Sequence, residues 1–235
     1  MTHHNINLEA ANETLHRAMV TELPLEYERI RLNGVDRPAP AVVVLHGRGA
    51  NERDLLPLAE ELPGDFDVIS LRAPTQLGPG YTWYDLDLSG GGLHASEPDP
   101  DDWVESLDLI QASIDIAIDE FDLDPNRIAL LGFSQGAIMS LGLMIEQPGR
   151  FAWIAALHGY LPAQYDRDDV ASAAGTPVFL AAGSEDQIIP ATRAEEAHSR
   201  LSEAGVDTTY RVYEIGHGTS PDELADLREW VSTRG

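Results

Sequence analysis

The chain has 235 residues, enough for one α/β domain with a substantial core, and its lack of cysteine removes disulfides, thiolate nucleophiles and Cys-based metal sites. Asp and Glu total 40 against 15 basic residues, all of them arginine, for a formal net charge of −25. Such a charge repels phosphate backbones and anionic headgroups, so nucleic-acid and membrane-surface roles are disfavoured. The carboxylates are scattered rather than gathered in one tail. With lysine missing, that pattern resembles proteins of high-salt cells, where the Debye length is roughly 3 Å at about 1 M. A halophilic fold that loosens when salt is removed is the expectation. The chain contains no apolar run of about 18 residues and no basic-then-apolar leader at its start, so a cytoplasmic protein without membrane insertion is expected.

In chain order, residues 1–23 give only a weak helical pattern, Leu8 to Val20, in a segment that could be mobile. Leu25 to Leu32 alternates apolar and charged residues as an edge strand does. Asn33-Gly34 reads as a turn, and Asp36 to Pro40 as a surface loop. Ala41 to Leu45 is a continuous apolar run, the mark of a central parallel strand. It leads into His46-Gly47-Arg48-Gly49, then a helix over Glu52 to Leu62 and a strand over Phe66 to Leu71. Ala73 to Asp102 breaks this rhythm with many glycines and prolines. The aromatics Trp83 and Tyr84 inside it argue for a substrate-side loop over a disordered insertion.

Trp103 to Phe121 reads as a long amphipathic helix, with Asp99, Asp101 and Asp102 at its electropositive end. Asp124-Pro125-Asn126 is a turn before the buried strand Ile128 to Phe133, and Ala137 to Met144 is a buried helix. The strands Trp153 to Leu157, Pro177 to Ala182 and Thr208 to Tyr213 follow, with helices over Ala191 to Ala204 and Pro221 to Val231. Strands alternating with helices in one chain, without a repeat, imply a mostly parallel sheet covered by helices on both faces.

Gly132-Phe133-Ser134-Gln135-Gly136 sits between a strand and a helix. A G-x-S-x-G there is a nucleophile elbow, a sharp turn lifting the serine hydroxyl above the sheet. The two glycines keep Cβ atoms out of the space where strand and helix pass. A serine hydroxyl needs a base within hydrogen-bond reach, and that base needs a third group to fix its tautomer. Sites in parallel sheets collect beyond the carboxyl ends of strands, so the partners should follow strands. Of eight histidines, His217 follows the last strand and is flanked by glycines. His158 also ends a strand, but it lies between the serine and the acid, out of order for an α/β-hydrolase. Asp186 competes with Glu185 and Ser184, and is favoured because Gly183 leaves the strand and Pro190 starts the helix. The oxyanion donors expected are the backbone N–H groups of Gln135 and of Arg48.

With HGRGANERDLLPLAEEL, RIALLGFSQGA, LHGYLP, GSEDQIIP and the final GHG in this order, residues Ala41 to Val231 resemble the phospholipase/carboxylesterase family of α/β-hydrolases, which includes acyl-protein thioesterase-like enzymes. The resemblance implies catalytic roles for Ser134, Asp186 and His217 and oxyanion roles for Arg48 and Gln135. It implies a serine carboxylesterase for short- to medium-chain carboxylic esters, with an acyl thioesterase or lysophospholipase as the alternative. It implies no cofactor and no metal, and a homodimer as one assembly members form. A non-catalytic ligand-binding protein on the same fold is the rival from another class. The chain departs from the family at His158, where relatives usually have serine, and in the glycine-rich stretch Ser89 to His94. Trp83, Tyr84 and His158 are the expected substrate-side contacts, His158 either shaping the floor of the site or merely packing.

Overall fold

The computed structural model describes residues 23–31 and 37–234. The expected helix Leu8 to Val20 and the Asn33-Gly34 turn lie outside them. A seven-stranded sheet runs in the order β1-β3-β2-β8-β9-β10-β11. These strands are β1 (Tyr27–Ile30), β2 (Ala39–Leu45), β3 (Asp67–Leu71), β8 (Leu123–Phe133), β9 (Phe151–Leu157), β10 (Val178–Gly183) and β11 (Thr208–Tyr213). Only β1 is antiparallel to its neighbour; the remaining pairs are parallel. The helices are α1 (Leu56–Glu60), α2 (Pro100–Phe121), α3 (Gln135–Glu146), α4 (Arg167–Ser172), α5 (Ala191–Glu203) and α6 (Pro221–Ser232).

The apolar run of β2 is continuous because both faces are covered. Val43 and Leu45 pack into one core with Ile110 and Ile114 of α2 and much of α3. Val42 and Val44 point the other way, into a second core with Ala59 of α1 and Leu227 and Val231 of α6. This alternation is the period-2 geometry of a strand. Each fully buried Val or Leu contributes about 1.5–3 kcal/mol, so the central strands hold the two helical layers together.

The chain leaves β2 for β3 on one side and later returns to β8 on the other. The carboxyl ends of β2 and β8 are therefore where strand order reverses, the place at which parallel sheets open a crevice. The loop His46 to Ala50 follows β2 and Ser134 follows β8, so both sit at this point.

Four local expectations change. First, only Leu56–Glu60 is α-helical of the stretch Glu52 to Leu62. Glu52 is instead buried in a two-pronged ion pair with Arg72, at 2.6 and 2.8 Å, which holds its carboxyl below the usual range. Second, α2 starts at Pro100, because Asp99 caps it by accepting from Asp101 and Asp102 N–H. Third, the expected substrate-side loop, residues 73–102, carries secondary structure of its own. They hold two small hairpins, β4 (Thr75–Leu77) with β5 (Gly80–Thr82), and β6 (Leu86–Asp87) with β7 (Glu97–Pro98), plus a 3-10 turn at Leu93–Ala95. Fourth, α4 was not anticipated; Asp166 and Asp169 start it with a capping box.

Candidate active site

Ser134 has φ 54° and ψ −119°, a conformation that only surrounding structure can impose on a non-glycine residue. The imposing groups are visible at the two flanking glycines. A Cβ on Gly132 would lie 2.2 Å from Gly136 O, and one on Gly136 would lie 1.9 Å from Leu45 O. Both are impossible, so β8, α3 and the end of β2 approach one another only because these positions lack side chains. Ser134 N–H donates to Leu157 O at 2.8 Å, anchoring the turn to β9.

Three side chains from separate loops meet here. Ser134 Oγ lies 2.8 Å from His217 Nε2, and His217 Nδ1 lies 2.6 Å from Asp186 Oδ2. Asp186 Oδ1 accepts from the N–H groups of Ile188 at 2.8 Å and Ile189 at 2.9 Å. Burial by itself would raise the Asp186 carboxyl, but the His217 contact and the two amides outweigh it, and the group sits below its ordinary range. Asp186 is thus an ionised acceptor at neutral pH. The loop carrying His217 is joined to that of Asp186 by Glu185 N–H to Ile215 O at 3.0 Å.

The candidate oxyanion donors flank Ser134. Gln135 opens α3, so its N–H has no intrahelical acceptor and lies at the positive end of the dipole. In the loop after β2, Gly49 N–H donates to Tyr81 O and Ala50 N–H to Gly47 O. Among the described residues, Arg48 N–H is used by no hydrogen bond of that loop. Gly47 is close to the serine: a Cβ there would lie 3.5 Å from Ser134 Cβ. The Arg48 side chain is 3.9 Å from the exposed Asp85 carboxylate.

His46 supports this loop from beneath. Its Nε2 accepts from Ala73 N–H at 3.1 Å and its Nδ1 faces Gly47 O at 2.7 Å, which fixes the neutral tautomer with hydrogen on Nδ1. Burial lowers its pKa, in keeping with that state.

A cavity of about 210 Å³ adjoins Ser134 and His217. Its walls are mainly apolar, from Leu86, Leu93, Ile138, Ile188 and Ile189, with Tyr84 and Tyr160 among them. Of the three expected substrate-side residues, Tyr84 lines this cavity, whereas Trp83 and His158 do not. Trp83 is buried against His46, ring centroids 5.3 Å apart, and its Nε1–H donates to His46 O at 2.8 Å. It is a prop for the loop after β2. His158 lies behind Asp186 and His217, 3.4 Å from Asp186 Oδ2 and fully buried. It packs there, the second of the two roles expected of it, with φ 55° and its ring against those of Phe133 and His217.

The side chain of Gln135 carries a function that sequence reasoning missed. Its Oε1 accepts from Thr82 Oγ1–H and Trp83 N–H, both at 3.0 Å, and its Nε2 donates to Tyr84 O at 2.7 Å. One buried amide therefore fixes the stretch that forms one wall of the cavity. Nothing local marks this, since the partners are more than 50 positions away. Farther along, Tyr160 O–H and Arg193 both donate to Ser96 O, at 2.8 and 2.6 Å, and Arg193 also pairs with Glu97.

Among the described residues, His158, Asp186 and His217 are the one group whose ligand atoms lie close enough together, within 4.8 Å, to hold a metal ion. The Asp186 and His217 atoms concerned are those of the 2.6 Å contact, so a metal would have to break it.

Residues 26–234 match the family model described as Phospholipase/Carboxylesterase. The chain is 26% identical over 189 residues to the putative hydrolase MhqD of Bacillus subtilis, covering 80% of this chain and 90% of that one. It is 28% identical over 218 residues to acyl-protein thioesterase 1 of Eremothecium gossypii, covering 86% and 91%. In fold it is similar to the Bacillus cereus carboxylesterase, with a TM-score of 0.77, 24% identity and coverage of 95% and 99%. The carboxylesterase of Mesorhizobium loti gives a TM-score of 0.79 at 21% identity, covering 91% and 97%. No helix among the described residues is long and apolar enough to cross a membrane. With the family model spanning almost all of the described chain, and the sheet order and strand-to-helix serine turn in agreement, the chain belongs to the phospholipase/carboxylesterase family of α/β-hydrolases, as a serine hydrolase.

Proposed function

We propose that the protein hydrolyses short- to medium-chain carboxylic esters through an acyl-enzyme on Ser134. The observation that carries this reading is the unbroken line from Ser134 Oγ to His217 at 2.8 Å and on to Asp186 at 2.6 Å. In the first half-reaction Ser134 Oγ attacks the ester carbonyl while His217 Nε2 takes its proton. Asp186 keeps the hydrogen of neutral His217 on Nδ1, so Nε2 is free to accept, and it stabilises the imidazolium that forms. Charge building on the carbonyl oxygen is met by the N–H groups of Gln135 and Arg48. His217 then protonates the leaving alkoxide. In the second half-reaction His217 deprotonates a water that attacks the acyl carbonyl, and the carboxylic acid leaves as Ser134 regains its proton.

The mainly apolar cavity beside Ser134 supports a substrate with a small hydrocarbon portion. Thioester hydrolysis by the same triad is the second reading, favoured by the acyl-protein thioesterases among the relatives. A thiolate leaves without needing a proton from His217, whereas an alkoxide needs one, so comparing matched alkyl esters and thioesters separates the two. Ser134→Ala tests both: we expect turnover and fluorophosphonate labelling to vanish while the fold and melting temperature stay. Undiminished hydrolysis in that variant would end the proposal.

A further inference from the structure

Behind the triad lies a second pair of ionisable groups that the mechanism above does not use. His158 Nδ1 is 3.4 Å from Asp186 Oδ2, and His158 Nε2 is 3.3 Å from Glu223 Oε2. All three side chains are fully buried. Glu223 lies in the first turn of α6, and its other oxygen, Oε1, has no hydrogen-bond partner. The titratable groups facing this pair are Asp186, His217, whose ring centroid is 5.8 Å from that of His158, and Tyr213 on the Glu223 side.

Counting hydrogens restricts the states available. Asp186 is an ionised acceptor, so a favourable contact requires a hydrogen on His158 Nδ1. His158 Nε2 then meets Glu223 either as N–H against a carboxylate or as a bare nitrogen accepting from a protonated carboxyl. In each case the pair holds one proton between its two members. Without that proton, a lone pair on one imidazole nitrogen would face a buried carboxylate, a costly arrangement in a low dielectric. A buried glutamate here is accounted for if its task is to keep that proton and orient His158.

We propose that His158 and Glu223 form a positioning pair: holding one proton between them, they present a second imidazole N–H to Asp186 and so set its orientation and effective charge toward His217. This rests on the triad reading of the preceding section. Its consequence is specific. An added donor on Asp186 Oδ2 withdraws some of the negative charge that stabilises the His217 imidazolium. The base therefore stays neutral, and able to accept from Ser134, to lower pH than it would with Asp186 alone.

The test uses two double variants. His158→Leu/Glu223→Leu removes both polar groups, so neither is left orphaned. His158→Asn/Glu223→Leu puts an amide N–H near the position of Nδ1, and asparagine tolerates positive φ. Active enzyme is counted by fluorophosphonate labelling of Ser134, and kcat/KM for a nitrophenyl ester is followed against pH. For the double leucine variant we expect the acid limb to move to higher pH by on the order of one unit and kcat to fall roughly tenfold. The asparagine variant should return the limb towards wild type. A fully labelled double leucine variant with the wild-type limb would overturn the proposal while leaving the hydrolase reading intact. Loss of labelling in the wild type itself would instead sink that reading. Long-range 1H–15N spectra of the unaltered protein give a check independent of variant folding: the His158 ring should carry its hydrogen on Nδ1 at neutral pH, and a bare Nδ1 would refute the pair.

Discussion

The turn at Ser134 and the stretch from Ala73 to Asp102 border the same cavity but are held in opposite ways. The turn is fixed by steric exclusion between neighbours: Gly132 against Gly136 O, Gly136 against Leu45 O, and Ser134 pinned by β9. The longer stretch is fixed by single polar side chains reaching from elsewhere in the fold. Gln135 holds residues 82–84, Ser106 Oγ–H donates to Trp83 O, and Tyr160 and Arg193 hold Ser96. Close packing yields a rigid element that fails abruptly when overfilled. Polar clamps yield an element that loosens step by step, one bond at a time. With Ser134 on the first kind and one wall of the cavity on the second, the wall can vary while Ser134 stays in register with His217.

The largest effect expected from this contrast is at Gly136. Gly136→Ala would drive a methyl into backbone that cannot yield, and should cost about 3 kcal/mol or more, read as a drop in the denaturant midpoint. A variant with wild-type stability would mean that the turn is not sterically determined. Gln135→Leu is next. It strands the buried Trp83 N–H, which costs roughly 1–3 kcal/mol, and should raise KM several-fold while Ser134 remains reactive to fluorophosphonate. If kcat alone changed, the clamp would belong to the chemistry and not to the wall.

Arg193→Met is a smaller perturbation. The guanidinium lies 3.2 Å over the Tyr160 ring, is partly exposed, and should be worth about 1 kcal/mol there. The measurable result is faster proteolysis within residues 88–97, with cleavage elsewhere unchanged. Salt should have the mildest and most selective action. Asp85, Asp87, Asp99 and Asp101 lie on or beside the hairpins, while the serine turn is buried. Molar KCl should raise the melting temperature and increase amide protection in 85–102 more than in 130–145. Identical melting at low and molar KCl would argue against the high-salt reading of the composition.

The same contrast explains what could be read from the residues. The central strands, the long helix α2 and the serine turn were legible because their causes are local: apolar runs, helical spacing, and glycines adjacent to the serine they shape. The order of Ser134, Asp186 and His217 after three strands was legible too, since sheet topology turns positions after strands into neighbours. Residues 73–102 read as a substrate-side loop without its hairpins, because their clamps lie far away in sequence. Trp83 looked like a substrate contact for the same reason; its indole N–H finds His46 O across 37 positions. His158 could be identified as unusual, but its direction depends on a positive φ that no pattern announces. Glu52 belonged to a helical pattern until Arg72, 20 positions on, drew it into an ion pair. Helix α4 is the one omission with a local sign, the Asp166 and Asp169 capping pair.

Acylation of Ser134 is the central event of the proposed hydrolysis. Rapid mixing with a nitrophenyl ester, acid quench and peptide mass mapping would follow the acyl group itself. A burst of nitrophenol equal to the enzyme present, with the acyl group on the peptide at Ser134, is the predicted result. Turnover without a burst and without acyl at Ser134, or with acyl on another residue, would contradict it.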